Sequence, residues 1–507
     1  MTRDIHDLYK PFRNRIRETN LWTGLMSVFA YSQFIQGEMN LPALLMTPRL
    51  RSVEEPWQAG LFPWALELLA RELILHGQSR TGTRLTDGAS VFAFLATIND
   101  LENEAWRIHD GEGNAVFLEM SRIAYRQFHW QAGVTTDDLA RYYLMFGTPE
   151  LATAIESEFG LTVVELFQLI LLVRNEMIQQ PMLQLTFTRV ALPAVLPALD
   201  ALASRLAKSL DEMRALTADV QRYDVNWAYT FNPLREFPLI HMGNERSMLC
   251  PIPYLLTRRL TDGVYYDLIR RSDNAVSLFG NAFEAFVGRA ARKELGDRAT
   301  IFDDQVYGTP EKRSIDWIIQ DESAALFVEC KLARPDLKAQ TVISDRDPFG
   351  AALKRLGDAV VQVYATLTDA LAGDYLHWKS DGRPTFPLIV TLAEWHAFGP
   401  YFGRTLQTHV DAGFSRRGID RTLLERCPYT ICSVTEFEGM LSVLRTVRID
   451  EVMAGKTGSE HRDWMVGPYL NHRFPAETER PAALFDQELR DVIYAPSRFT
   501  RVGQGST

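Results

Sequence analysis

Two short apolar runs in the middle of the chain constrain its fold more than any other feature. They are RSIDWIIQ (313–320) and AALFVECK (324–331), and only Asp-Glu-Ser separates them. Each run has the length and the branched or aromatic residues of a strand, and the polar gap is short enough for a hairpin. Near-continuous apolar strands are typical of a sheet that is covered on both faces. The sequence therefore predicts that these two runs pair within such a sheet.

Both runs also carry ionisable residues where apolar ones would pack more easily. Asp316 sits early in the first run, and Glu329 and Lys331 end the second. Side chains alternate along a strand, so Glu329 and Lys331 point to one face while Cys330 points away. Asp316 lies beside them if the two strands pair. Because an unpaired buried carboxylate is costly, the pattern predicts two carboxylates and one ammonium grouped at one edge of the sheet.

Such a group suits metal-assisted chemistry on phosphodiesters. Two carboxylates and a backbone carbonyl form an all-oxygen site of the kind that Mg²⁺ or Mn²⁺ prefers. A bound metal ion polarises a phosphodiester and lowers the pKa of its water. A neighbouring lysine can orient that water, help to deprotonate it, or stabilise charge on the phosphate.

The elements around the two runs indicate a mixed sheet with helices on its faces. An amphipathic helix is predicted over 275–295, followed by a first strand over 300–308. A long helix over 350–373 and a further strand over 386–395 come after the two runs. An antiparallel hairpin, a crossover helix and a further strand together produce a mixed sheet.

The spacing of the charged residues, within this order of elements, resembles a known family. Asp316–x(12)–Glu329–Cys330–Lys331 is similar to the core of the PD-(D/E)xK nuclease superfamily, which includes restriction endonucleases, repair nucleases and phage-defence effectors. The resemblance covers roughly residues 276–395 and includes the family's αβββαβ order.

Two outlying positions extend the resemblance. Glu284 in GNAFEAFVGRAA matches the acid on the helix before the core strands. Gln362 in DAVVQVYATL resembles a glutamine on the helix after them, often accompanied by a tyrosine, here Tyr364 at a different spacing. Such a glutamine would orient the lysine or the phosphate. Ile315 replaces the proline of the family pattern, as in many members.

The resemblance implies a role for each of the remaining matched residues. Asp316, Glu329 and the backbone carbonyl of Cys330 would bind Mg²⁺ or Mn²⁺. Glu284 would support a metal ion or its water. Lys331 would position the attacking water.

The rest of the chain divides by sequence texture. Residues 1–225 show helical periodicity and helix-capping residues, and they predict a helical domain that regulates, docks a partner or senses a target. Residues 226–275 are rich in Pro, aromatic residues and short apolar runs, which indicates a connection of strands and turns. The predicted nuclease core is 276–400, and 401–507 is an α/β extension that packs on it. The expected fold class is α+β overall: a helical N-terminal half followed by an α/β restriction-endonuclease-like core, in which helices flank a mixed central sheet.

Composition excludes several classes of protein. A net charge of −10 over 507 residues argues against coating nucleic acid or an anionic membrane through bulk charge. Four cysteines are too few for a disulfide scaffold and fit a reducing cytoplasm, and Cys427 and Cys432 lack a second ligand pair for zinc. No signal peptide is visible, and the longest apolar runs are too short and too interrupted to span a bilayer.

Basic side chains near the predicted core are available for phosphate contacts despite the negative net charge. Whether they share a face is not visible in the sequence. They are Arg289, Arg292, Lys293, Lys312, Arg313, Arg334, Lys338, Lys354 and Arg355.

By resemblance, these features imply a cytoplasmic Mg²⁺- or Mn²⁺-dependent endonuclease, with DNA favoured over RNA as its substrate. A restriction-like enzyme and the effector of a bacterial antiviral defence system both fit, and the second is preferred. The lack of a motor or phosphate-binding loop suggests a protein partner for targeting or activation. Symmetric cutting of duplex DNA suggests a homodimer, and no membrane association is expected. Two alternatives stay open: a non-catalytic nucleic-acid-binding or scaffold subunit that retains the fold, and a metal-dependent hydrolase of a small phosphorylated molecule.

Overall fold

Helices make up most of the N-terminal half, and the largest sheet lies in the C-terminal half. The computed structural model describes residues 5–108, 115–184, 195–242, 247–270, 274–309, 311–332, 346–375, 377–396, 399–479 and 483–499. The prediction of an α+β protein with a helical N-terminal half and a mixed sheet is confirmed. Within the described ranges, no helix combines the length and the apolar character that crossing a bilayer requires.

The helices and strands have the following bounds. The N-terminal helices are α1 (Ile5–Arg17), α2 (Leu21–Ile35), α3 (Pro48–Arg51), α4 (Pro63–His76), α5 (Gly88–Ile108), α6 (Ala115–Ala132), α7 (Thr136–Phe146), α8 (Pro149–Phe159), α9 (Val163–Gln179), α10 (Val195–Leu206) and α11 (Leu210–Val220). The later helices are α12 (Pro253–Leu260), α13 (Asp262–Ile269), α14 (Ala275–Leu295), α15 (Arg346–Ala372), α16 (Gly399–Arg417), α17 (Leu423–Arg426), α18 (Val434–Leu444), α19 (Ile449–Thr457), α20 (Val466–Arg473), α21 (Pro475–Thr478) and α22 (Asp486–Tyr494). The strands are β1 (Met182–Gln184), β2 (Ala207–Lys208), β3 (Leu239–His241), β4 (Ser247–Leu249), β5 (Thr300–Asp303), β6 (Val306–Tyr307), β7 (Lys312–Arg313), β8 (Trp317–Gln320), β9 (Ala325–Lys331), β10 (Thr385–Thr391) and β11 (Thr430–Ser433).

The larger sheet has the strand order β11-β10-β9-β8-β5. Strands β5, β8 and β9 form an antiparallel meander, with Trp317 opposite Val328 at the end of the β8–β9 pairing. Helix α15 then crosses over, so that β10 pairs in parallel with β9, and β11 pairs in parallel with β10. The predicted order of helix, three strands, helix and strand is therefore present, with β9 at the centre.

A smaller sheet joins the two halves of the chain and was not foreseen. Its strand order is β1-β4-β3-β2. Strands β1 and β2 lie within the first 225 residues, for which only helices were predicted, so that part of the prediction is wrong. Both strands are very short, and their partners β3 and β4 are distant in sequence. Local periodicity therefore carries almost no signal for them.

The larger sheet separates two apolar cores. Along β9, Leu326 and Val328 face a core that also contains α14 and α18, while Ala325 and Phe327 face a core formed with α15. This alternation follows from the two-residue period of a strand and explains why the run is apolar almost throughout.

Helices of the N-terminal half contribute to the first of these cores. The rings of Phe146 on α7 and Phe279 on α14 lie 5.9 Å apart. Arg141 on α7 forms a buried ion pair with Glu438 on α18, with Nη2 and Oε2 at 2.8 Å. The apolar core thus crosses the predicted boundary at residue 225, and the predicted domain limits stay a prediction.

A second contact joins the N-terminal half to the chain that leaves the larger sheet. The hydroxyl of Tyr125 on α6 accepts a hydrogen bond from the backbone N–H of His396 at 3.1 Å. Ser121, one helical turn earlier, donates its hydroxyl to the backbone carbonyl of His396. His396 follows β10, the strand that pairs with β9.

Candidate active site

The carboxyl end of β9 carries the two charged residues that the sequence singled out. Glu329 and Lys331 have the same parity as Ala325 and Phe327, so they lie on the face that α15 covers. Glu329 is only 1% exposed, and its Oε1 lies 2.5 Å from the Lys331 ammonium. Lys331 also donates to Oε1 of Gln362 on α15 at 3.2 Å. The structure therefore brings Glu329, Lys331 and Gln362 together.

Asp316 is joined to the same strand through the backbone. Its Oδ2 accepts a hydrogen bond from the Cys330 N–H at 2.6 Å, and the residue is 8% exposed. The β8–β9 pairing stops at Trp317, so the carboxylate takes the place of the next backbone partner. The Asp316 carboxylate is thus held against β9 between Glu329 and Lys331.

The strand predicted over 313–320 begins only at Trp317, which corrects the placement of Asp316 inside a strand. Arg313 instead belongs to β7, which pairs with β6 in a separate two-stranded ribbon. Ser314 closes this ribbon, because its backbone N–H donates to the Gln305 carbonyl and its hydroxyl accepts from the Gln305 N–H, both at 2.9 Å. The chain turns at Ser314 and enters the sheet three residues later.

Glu284 is positioned by the close approach of α14 to β8. The indole N–H of Trp317 donates to the Glu284 carbonyl at 3.0 Å. The Trp317 ring fits over Gly288, where a Cβ would lie 2.3 Å from a ring carbon. Glycine at this position therefore lets the helix sit close to the strand, with the Glu284 side chain directed at the edge that holds Asp316.

Arg313 forms an ion pair with the Glu284 carboxylate. Its Nη2 lies 3.2 Å from Glu284 Oε1, and its Nε lies 3.0 Å from Asp304 Oδ2. The Arg313 side chain is 60% exposed, whereas that of Glu284 is 18% exposed. Sequence reasoning counted Arg313 only among the basic residues near the core, although its position three residues before Asp316 was a signal of its proximity.

The carboxylates influence one another electrostatically. Burial, followed by the charge of Asp316, raises the pKa of Glu329 to about 8 against the opposing charge of Lys331. Burial and then Asp316 also raise the pKa of Glu284 to about 7, opposed by Arg313. Burial raises the pKa of Asp316 as well, although the Cys330 N–H opposes that shift. Because Asp316 raises the pKa of both glutamates, the three carboxylates form one electrostatic site.

Glu284, Asp316 and Glu329 are the oxygen donors that could hold a metal ion. Oε2 of Glu329 is buried and has no hydrogen-bond partner among the described residues. However, in the part of the chain that the structure describes, no three His, Cys, Asp or Glu side chains are grouped closely enough to hold a metal ion as they stand. Each carboxylate is instead directed to its own partner: Glu329 to Lys331, Glu284 to Arg313 and Asp316 to the Cys330 N–H.

Other residues that the sequence drew attention to lie elsewhere or have ordinary partners. Tyr364 is buried and donates its hydroxyl to the Cys427 carbonyl at 2.5 Å, so it supports the core behind α15. All four cysteines are free thiols. Arg334 and Lys338 lie outside the described residues. The other candidate cations that form ion pairs with nearby acids are Arg289, Arg292, Lys293, Lys312, Arg313 and Lys354.

Similarity to known proteins does not assign a function to this chain, so the assignment depends on these side chains. Neither the models of protein families, nor the curated proteins, nor the solved structures contain a match to this chain.

Proposed function

We propose that this protein is a metal-dependent nuclease that hydrolyses phosphodiester bonds inside DNA. The observation that carries the proposal is the meeting of Asp316, Glu329, Lys331 and Gln362 at the carboxyl end of β9. Burying two carboxylates at one strand end is costly for folding alone. The burial of these two carboxylates is explained if they take part in a reaction.

The residues present fit a hard divalent cation such as Mg²⁺ or Mn²⁺. The candidate donors are carboxylate oxygens, which these ions prefer. Glu329 supplies a buried oxygen without a hydrogen-bond partner among the described residues, and burial together with the charge of Asp316 raises its pKa. Asp316, Glu329 and the Cys330 carbonyl would hold the ion, with Glu284 in support. A bound ion would polarise the phosphodiester and acidify its water.

The remaining residues would orient the reactants. Lys331 lies between Glu329 and Gln362, so its ammonium is fixed from two sides at the strand end. From there it can hold a water molecule for attack on phosphorus and stabilise negative charge on the phosphate. Gln362 would keep the ammonium in place through its side-chain carbonyl. The order of elements around these residues agrees with a restriction-endonuclease-like core, which we include in the proposal.

We place this activity in the cytoplasm, either as a restriction-like enzyme or as the effector of a bacterial antiviral defence system. The free state of all four cysteines supports a reducing compartment. The N-terminal helices would serve regulation, partner docking or target sensing, because α7 to α10 share an apolar core with the elements around the site. A homodimer would supply two active sites for cutting both strands of a duplex.

One alternative has an observation in its favour. Lys331 neutralises Glu329 directly, and the carboxylates are not gathered around one point in the described part of the chain. A subunit that retained the fold and bound nucleic acid without cutting it would have no need for a metal cage. The alternative predicts nucleic-acid binding that does not depend on a divalent cation.

The two functions are separated by a cleavage assay on the purified full-length protein. Plasmid DNA and RNA are incubated with Mg²⁺, with Mn²⁺ or with EDTA, and the products are resolved on gels. We expect cleavage of DNA with either metal ion and none with EDTA. Asp316→Asn and Lys331→Met should each lower the rate by at least about a hundredfold, the scale of losing one positioned acid, base or charge.

Glu322→Gln is the matched control for loss of an acid. Glu322 is exposed in the turn between β8 and β9, at the opposite end of β9 from the site. The Glu322→Gln variant should cleave DNA at the wild-type rate. Asn is used at position 316 because its side-chain oxygen can still accept from the Cys330 N–H, so folding is preserved. Cleavage that survives in both site variants would reject the assignment of the site.

A further inference from the structure

Arg313 is the cation that faces the carboxylates from the solvent side. It contacts Glu284 at 3.2 Å and Asp304 at 3.0 Å while its side chain stays 60% exposed. Its charge also opposes the rise in the pKa of Asp316. Arg313 is therefore the more exposed of the two cations at the site, since the Lys331 side chain is 32% exposed.

The β6–β7 ribbon fixes Arg313 in this place. Tyr307 is buried, and its hydroxyl donates to Asp369 on α15 at 2.8 Å. Lys312 donates to the same Asp369 oxygen, also at 2.8 Å. Neighbouring residues of a strand point in opposite directions, so Lys312 is directed to α15 and Arg313 to the carboxylates.

The stability of the fold does not explain this placement. An ion pair with so exposed an arginine contributes about 0–1 kcal/mol. A contact that stabilises so little can also be exchanged at little cost.

The balance of charge predicts when the exchange occurs. Four carboxylates, those of Glu284, Asp304, Asp316 and Glu329, face only two cations, Arg313 and Lys331. A divalent cation bound at these oxygens would offset that excess of negative charge. The guanidinium of Arg313 is then no longer needed at Glu284, and its planar donors match the oxygens of a phosphate.

We propose that Arg313 is a built-in counter-ion that the divalent cation displaces from Glu284, and that the freed guanidinium then binds a backbone phosphate of the DNA. This inference rests on the proposed function and adds to it the residue that couples metal binding to substrate binding. Free energy of coupling is reciprocal, so metal ion and DNA must each strengthen the binding of the other.

Binding measurements on the full-length protein test the coupling without relying on activity. Mn²⁺ binding is measured by isothermal titration calorimetry. Binding of a short fluorescein-labelled DNA duplex is measured by anisotropy in Ca²⁺ and in EDTA. Arg313→Gln should bind Mn²⁺ at least about threefold more tightly, because an internal competitor is gone, and should bind DNA about tenfold more weakly in Ca²⁺, as the loss of one charged phosphate contact implies.

Arg270→Gln is the matched control, because it removes an arginine that is equally exposed and is ion-paired, with Glu236 at 2.8 Å, outside the site. Both of its affinities should stay within about twofold of the wild type, a difference well below the effect of one direct contact. Arg313→Lys should restore the competition with Mn²⁺ and part of the DNA affinity. Circular dichroism and the melting temperature of each variant verify that it is folded.

Each outcome decides between the two claims. If the wild type cleaves DNA but Arg313→Gln leaves both affinities unchanged, or weakens Mn²⁺ binding, the role of Arg313 is rejected and the nuclease proposal stands. If the wild type binds neither Mn²⁺ nor DNA, the proposed function fails and this inference fails with it. Tighter Mn²⁺ binding together with weaker DNA binding, confined to position 313, supports it.

Discussion

Glu329 is an acid on a strand whose other inward residues are apolar, and this contrast is visible in the sequence. The pattern therefore predicted that Glu329 and Lys331 share a face, and the structure places both beneath α15. The contact between Arg313 and Glu284 could not be predicted in the same way. It depends on a turn at Ser314 that side-chain hydrogen bonds create, and the alternation of apolar and polar residues does not register such bonds.

The raised pKa values predict how stability depends on pH without metal. Glu284 and Glu329 have pKa values of about 7 and about 8 in the folded protein, against 4.5 for an ordinary glutamate. Between these values the folded state binds more protons than the unfolded state, so stability falls as pH rises. In EDTA, the free energy of unfolding should decrease from about pH 5 to about pH 9 by more than about 1.4 kcal/mol, the equivalent of a single pKa unit. Chemical denaturation at a series of pH values measures this.

The Glu329→Gln variant shows how much of this pH dependence comes from Glu329 and how much from other titrating groups. The variant should match the wild type near about pH 5, where Glu329 is protonated, and exceed its stability at about pH 9. Adding Mg²⁺ at the higher pH should stabilise the wild type and not the variant. Equal pH dependence in the two proteins would contradict the assigned electrostatic coupling.

At the scale of elements, the sequence predicted the order of helices and strands around the site correctly. The helix over 275–295 has the predicted bounds, and β9, α15 and β10 follow in the predicted sequence. The predicted strand over 313–320 was too long, because its first residues serve the β6–β7 ribbon. A long segment with regular apolar periodicity indicates reliably whether it forms a helix or a strand. A short apolar run does not reveal which strand it pairs with.

The contact between α14 and β8 gives a prediction about stability and activity together. In Gly288→Ala, the added methyl group would meet the rigid Trp317 ring at 2.3 Å, so helix and strand must move apart. We expect a loss of about 2 kcal/mol in the free energy of unfolding, typical of overpacking. Cleavage should slow as well, because Glu284 moves with the helix. Thermal denaturation and the cleavage rate report the two effects.

Gly280→Ala provides the control on the same helix. Its new Cβ would come no closer than 3.9 Å to the Leu332 side chain. Alanine is the better helix former by about 1 kcal/mol, so this variant should be as stable as the wild type or more stable. A similar loss in both variants would show that the approach to Trp317 is not the cause of the loss in Gly288→Ala.

At the scale of the whole molecule, the packing between the two halves was the least predictable feature. Periodicity identifies which side of α7 is apolar, but it does not state that Phe146 meets Phe279 or that Arg141 meets Glu438. Those contacts are long-range, and no turn or linker near residue 225 signals them. The sequence texture changes there, yet the apolar core continues across it.

This continuity predicts the behaviour of a truncated chain. A fragment of residues 226–507 lacks Arg141 and Phe146, so Phe279 becomes exposed and Glu438 loses its buried partner. Breaking a buried ion pair from one side alone costs about 3–5 kcal/mol. We expect the fragment to aggregate or to unfold without a cooperative transition, as measured by size-exclusion chromatography and calorimetry.

A longer fragment tests whether the missing core is responsible. Residues 133–507 retain α7 and α8 and should yield more soluble, cooperatively unfolding protein than 226–507. Should the shorter fragment fold and cleave DNA unaided, the predicted boundary at residue 225 would mark an independent domain after all.

The two hydrogen bonds between α6 and the His396 backbone have a mechanical consequence. The hydroxyls of Ser121 and Tyr125 hold both backbone groups of a residue that follows β10, beside the strand that ends in Lys331. A tilt of this one helix would therefore pull directly on the end of β10 in the larger sheet. A partner that displaced α6 would thus transmit its movement over a short distance to the strand end that carries Glu329 and Lys331.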